Sequence, residues 1–154
     1  MPSVESRLRE LGVTLPEPPK PGGAYKPTII AGAFLYVAAQ FPIENGELKF
    51  QGRFGENLDV EQGRAAARLA AINVLAQINA ALDGFDRLVQ LIRVDGHFNT
   101  TPDFDQHARI MDGASELFND ALGDKAGHVR SVFGHASLPV NLSVELMAIA
   151  QISG

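Results

Sequence analysis

The feature that most restricts the fold is an alanine-rich amphipathic stretch between Asp59 and Asp83. Asp59 is followed three residues on by Gln62, the pattern of a capping box, and Gly84 closes the segment, so the spacing predicts one long helix. Ala67, Ala70, Ala71, Val74, Ile78 and Ala81 recur at the 3.6-residue period and form one apolar stripe, with Arg64, Arg68, Asn79 and Asp83 on another side. A stripe made mostly of alanine lets the helix axis approach a sheet closely. The flanking segments should therefore supply strands.

They have the residues for it. Thr28–Ile30 and Phe34–Gln40 are rich in β-branched and aromatic residues around an Ala31-Gly32 turn, and Asn45-Gly46 is a hairpin signal leading into Leu48 and Phe50. Leu88–Phe98 alternates, with Ile92, Val94, Gly96 and Phe98 expected on one face and Arg93, Asp95 and His97 on the other. Thr100–Asp103 turns into a second helix whose inward stripe is Ile110, Ala114, Leu117, Phe118 and Ala121, ended by Gly123. Gly113 inside that helix costs about 1 kcal/mol relative to alanine, which a close packing contact would explain. Arg130–Ala136 and Leu142–Ile152 are read as a final hairpin turning at Leu138-Pro139. In its last strand Leu142, Val144, Leu146, Ala148, Ala150 and Ile152 share one face. The expected class is α+β: a mixed sheet with two long helices on one face. One domain over residues 1–154 is expected, with residues 1–24 forming a short helix capped by Ser3 and a proline-rich arm.

Charge and composition narrow the partners. Lys and Arg total 13 against 18 Asp and Glu, a net charge of −5, which opposes a phosphate-binding footprint and argues against nucleic acid. There is no cysteine, which excludes disulfides, thiolate metal sites and a cysteine nucleophile. His97, His107, His128 and His135 show no metal-binding spacing, so no metal is expected. Phosphate-loop, dinucleotide and serine-elbow signatures are absent; Gly113-Ala114-Ser115 only begins the last. No apolar run approaches the roughly 20 residues that span a bilayer, and the polar N-terminus is no signal peptide, so no membrane partner and a cytoplasmic location are expected.

The C-terminal segment holds the chemistry. Arg130 opens one strand and Glu145 lies within the next, where a turn near Leu138-Pro139 would bring the two together across a ladder. A guanidinium fork can grip a carboxylate, and a glutamate can orient a water or carry a proton. A structural Arg–Glu pair on a sheet satisfies the same spacing.

Arg130-Ser131-Val132-Phe133-Gly134-His135-Ala136-Ser137-Leu138-Pro139, followed by Val144-Glu145-Leu146-Met147-Ala148-Ile149-Ala150, resembles the A-R-S-x-V-x-V-x-x-L-P and V-E-I-E-A-I-A signature of the RidA (YjgF) family. Gly23-Ala24-Tyr25 is similar to that family's G-P-Y, and Ala38-Ala39-Gln40-Phe41-Pro42 stands where the family has S-G-Q-x-P. The chain length and proline arm look like a long branch often labelled endoribonuclease L-PSP. The resemblance implies a chorismate-mutase-like fold and a homotrimer with clefts between subunits. It also implies hydrolysis of reactive 2-imino and 2-enamino acids to 2-keto acids and ammonia, without metal or cofactor. Carried over, Arg130 would bind the carboxylate of a small imine or keto-acid-like ligand and Glu145 would position water. Tyr25 would line the cleft from a neighbouring subunit, beside Ala38, Ala39, Gln40, Asp112, His128 and Val132. Alanines replace the family's serine and glycine at 38 and 39, Val132 replaces a small polar residue, and Asp112 stands at an asparagine position. These departures open a second reading, a non-catalytic trimer that binds a metabolite in the same cleft.

Overall fold

In the computed structural model, which describes Met1–Gly154, the alanine-rich stretch forms helix α2, Val60–Leu82. The capping box is complete: Asp59 accepts from the Gln62 backbone N–H while the Gln62 side chain accepts from the Asp59 N–H. Asp83 closes the helix in the left-handed region, followed by Gly84 at φ 113°. The buried surface is broader than the predicted stripe. It includes Ala66, Asn73, Leu75, Ala76 and Gln77, whereas Ala81 is only partly buried, because α2 is covered on more than one side. By length and composition α2 could cross a membrane, against the expectation that no run is long enough, but most of that apolar window is buried within the fold.

Strands β1 (Thr28–Ala31), β2 (Phe34–Gln40), β5 (Leu88–Asn99), β6 (Val129–His135) and β7 (Val144–Ile152) form one sheet in the order β1-β2-β7-β5-β6. The Asn45-Gly46 turn, with both residues at positive φ, joins β3 (Ile43–Glu44) and β4 (Glu47–Leu48) into a separate small ribbon. Helix α3, His107–Leu122, packs beside α2 on one face of the sheet, and α1, Val4–Glu10, rests on α3. The arm after α1 lies along α2, where Gln77 Nε2 donates to the Pro19 carbonyl at 2.9 Å.

Two expectations fail on connectivity. The last two strands are not a hairpin: β5 lies between them, pairing parallel to β6 and antiparallel to β7. A parallel pair demands a crossover, and α3 supplies it. Ile92 also does not join the core row. The ladder shifts between Leu91 and Arg93, so Leu91 is buried and Ile92 is the extra residue of a bulge. The alternation of β7 holds from Val144 to Ile152, with the even positions buried; Leu142 and Ser143 precede the strand and both are buried. Gly113 sits where α3 crosses α2; an added Cβ would meet the Arg64 backbone.

The open face of the sheet carries no helix. Ile29, Phe34, Tyr36, Phe133 and Met147 are exposed, and the ladder registers place them all on this face.

Candidate functional site

Arg130 lies on β6, an edge strand, opposite Val94, whose side chain is in the core. Its side chain therefore falls on the helix face of the sheet, where α3 meets it. Nη1 donates to Asp112 Oδ1 at 2.7 Å and to Ser115 Oγ at 3.0 Å, and Nη2 lies 3.5 Å from the Ala108 carbonyl. Asp112 and Ser115 are three apart on α3, hence on one side of that helix. Ser115 Oγ is also 2.9 Å from His128 Nε2, and Phe118 stands edge-on to the His128 ring. Burial pushes the His128 pKa down, and the Arg130 charge pushes it the same way, so both favour the neutral ring. Val132 follows two residues after Arg130, partly buried against the core. Asp112, Ser115, His128, Arg130 and Val132 thus form one cluster at the β6 edge.

Glu145 is elsewhere. It pairs with His97 on the open face, two strands from β6. Burial raises its carboxyl pKa, with the nearby His135 charge working in the opposite sense. Beside it His97 Nδ1 and His135 Nε2 are 2.7 Å apart, and the His97 ring stacks on Phe133. Burial, then the His135 charge, lowers the His97 pKa, while Asp95 acts to raise it. Arg93 is paired with Asp95 at 3.0 Å. The expected contact between Arg130 and Glu145 across a hairpin is therefore absent: β5 separates them and they face opposite sides of the sheet.

A third group sits at the other end of the sheet. Tyr25, Ala39 and Gln40 line a small recess closed by Pro19, Lys20 and Pro21 of the arm. Ala38 and Ala39 lie in a bulge between the Val37–Ala148 and Gln40–Leu146 pairs. The Gln40 amide is spent internally, donating to the Ala38 carbonyl and accepting from Gln77. Across the sheet, β2 and β6 are separated by β7 and β5, about 14 Å at normal strand spacing.

Sequence reasoning passed over Ser115 and the His97–His135 pair. The Asp112-to-Ser115 spacing was a usable signal, one helical turn on one face. The histidines had none, because only the parallel pairing of β5 with β6 makes neighbours of residues so far apart in the chain. No group of three or more His, Asp or Glu side chains is arranged to hold a metal ion.

A mixed sheet with two helices on one face and an apolar open face defines the chorismate-mutase-like class of fold. Residues 5–152 match the YjgF/chorismate mutase-like family, whose description carries an endoribonuclease label, and the chain belongs to that family. It is 40% identical to the protein Atu1372, of unknown function, from Agrobacterium tumefaciens, over 97% of this chain and 92% of that one, with a TM-score of 0.90. A protein labelled an endoribonuclease from Shewanella oneidensis is 33% identical over 98% of this chain and all of its own, with a TM-score of 0.95. The fold is shared more distantly with E. coli TdcF, solved with bound serine, at 24% identity over 89% and 94% of the two chains and a TM-score of 0.66.

Proposed function

We propose that the chain works as a homotrimer whose inter-subunit clefts hydrolyse small carboxylated imines and enamines to keto acids and ammonia. The observation that carries this reading is the state of Arg130. Its Nη1 is fixed by Asp112 and Ser115, while Nε makes no protein hydrogen bond and Nη2 only a long one, so a donor fork stays open at a sheet edge. TdcF, which shares the fold, holds serine, itself a small carboxylated amine.

The separation of the three groups in one chain supports assembly. Arg130 and Glu145 face opposite sides of the sheet, and Tyr25 lies near the far edge, so a cleft that uses all three draws them from different subunits. The exposed Ile29, Phe34, Tyr36, Phe133 and Met147 give an apolar face for that contact.

The reaction needs little beyond placement. Water adds through oxygen to the C=N carbon and the nitrogen gains a proton. The resulting carbinolamine then loses ammonia as the C–N bond breaks and the C=O bond forms. Glu145 is suited to take the water proton and return it to the leaving nitrogen, because its raised pKa brings the two protonation states closer in energy at neutral pH. Arg130 supplies position, which converts a bimolecular encounter into a local one.

The test is ammonia release from imines generated in situ by an amino-acid oxidase. Arg130→Ala should lower kcat/KM about a hundred-fold, the scale of losing charge-assisted hydrogen bonds. Wild type indistinguishable from background would end the deaminase reading.

One observation favours a second reading, a trimer that binds a metabolite without turnover: Arg130 already has a carboxylate partner in Asp112. Thermal stabilisation by keto or amino acids without ammonia release would support it. Cleavage of RNA is disfavoured. The histidines do come together, but at 2.7 Å they bond each other and leave no gap for a phosphodiester between them, on a chain of net charge −5.

A further inference from the structure

If Arg130 is a carboxylate anchor, Asp112 poses a problem of charge. A carboxylate at 2.7 Å neutralises the guanidinium and repels any ligand that brings only negative charge. Both partners remain reachable, with 29% of the Arg130 side chain and 44% of the Asp112 side chain exposed. Asp112 uses Oδ1 on Arg130 and makes no hydrogen bond through Oδ2. The pair therefore presents an open donor fork and, within the same ion pair, an open acceptor.

We infer that the Arg130–Asp112 pair selects zwitterionic α-amino and α-iminio acids over the α-keto acids of the same skeleton. In such a ligand one carbon separates the carboxylate from the nitrogen. One oxygen of the ligand carboxylate can accept from Arg130 Nη2, beside the Nη1 that Asp112 occupies, while the N–H donates to Asp112. A keto acid offers only oxygen acceptors, and its carbonyl would face a carboxylate with no proton between them, a mismatch that selects against it. Ser115 is a positioning residue in this arrangement: it takes the second Nη1 proton and is backed by His128, which keeps Nε and Nη2 free for ligand. Hydrolysis removes the N–H that Asp112 holds, so the keto product is expelled by the same group that admitted the substrate.

This inference rests on Arg130 being the anchor, and the experiment separates the two. Titration calorimetry with alanine and with pyruvate compares ligands that differ only at the α position. Wild type should bind alanine at least about ten-fold more tightly than pyruvate. Asp112→Asn should bring the two within about three-fold, chiefly by tightening pyruvate, and Arg130→Ala should weaken both. Wild type that holds pyruvate as tightly as alanine, while Arg130→Ala loses both, overturns the selectivity and leaves the anchor standing. Arg130→Ala that binds both ligands like wild type overturns the anchor, and a wild type that binds neither overturns both. Asp112→Ser serves as a second charge-removing variant if the first fails to fold, and the wild-type ratio is decisive without either.

Discussion

At Arg130, two hydrogen bonds from Nη1 remove most of the freedom of a long side chain, so a ligand meets a guanidinium already in place. Ser115→Ala should raise KM several-fold with little change in kcat, and Ser115→Thr should restore it, in steady-state assays on the reaction proposed above. Glu145 sets the acid limb. Its pKa is raised by burial, so the rate should fall, as pH drops, at a value above the ordinary glutamate range, and Glu145→Gln should remove that limb. Stability has its own pH dependence. His128 and His97 have folded pKa values below the ordinary 6.5, so the native state binds fewer protons than the unfolded chain. Their contribution is present above 6.5 and is lost as pH falls through 6.5 toward the depressed values. Urea midpoints should decline over that window, and His128→Asn should flatten the decline.

At the scale of elements, the crossing of α2 and α3 depends on Gly113. A methyl group there meets the Arg64 backbone, which cannot rotate away, so Gly113→Ala should destabilise the protein by about 1–3 kcal/mol in denaturant unfolding despite its better helix propensity. The sequence marked this glycine as costly and pointed to a close packing contact; the partner in that contact, the Arg64 backbone, lies on a different helix. Much at this scale was readable locally. The Asp59–Gln62 box, the Asn45-Gly46 turn and the even-numbered row of β7 are short-range patterns, and each appears where its residues predicted. The failures were of pairing. Nothing in Ile92 tells it apart from Leu91 as a core residue, since the bulge is set by the fit of β5 against β7.

For the whole molecule, the open sheet face decides. An exposed row of Ile29, Phe34, Tyr36, Phe133 and Met147 is stable in water only at a cost that association removes. Light scattering should give about three times the 16.5 kDa chain mass, and Met147→Lys, which puts an ammonium into that face, should shift the protein toward monomer. A monomeric wild type would remove the inter-subunit cleft and with it the joint use of Arg130 and Glu145.

By itself the sequence determined the elements to within a residue or two of their ends, most of their buried faces, and the family motif around Arg130 and Glu145, because these depend on residues within a few turns or a single strand. It could not determine that β5 enters between β6 and β7. Strand order is chosen by which faces bury together and by the crossover through α3, both of them long-range. That one choice sent Arg130 to the helix face beside Asp112, Ser115 and His128, and left Glu145 on the open face with His97 and His135.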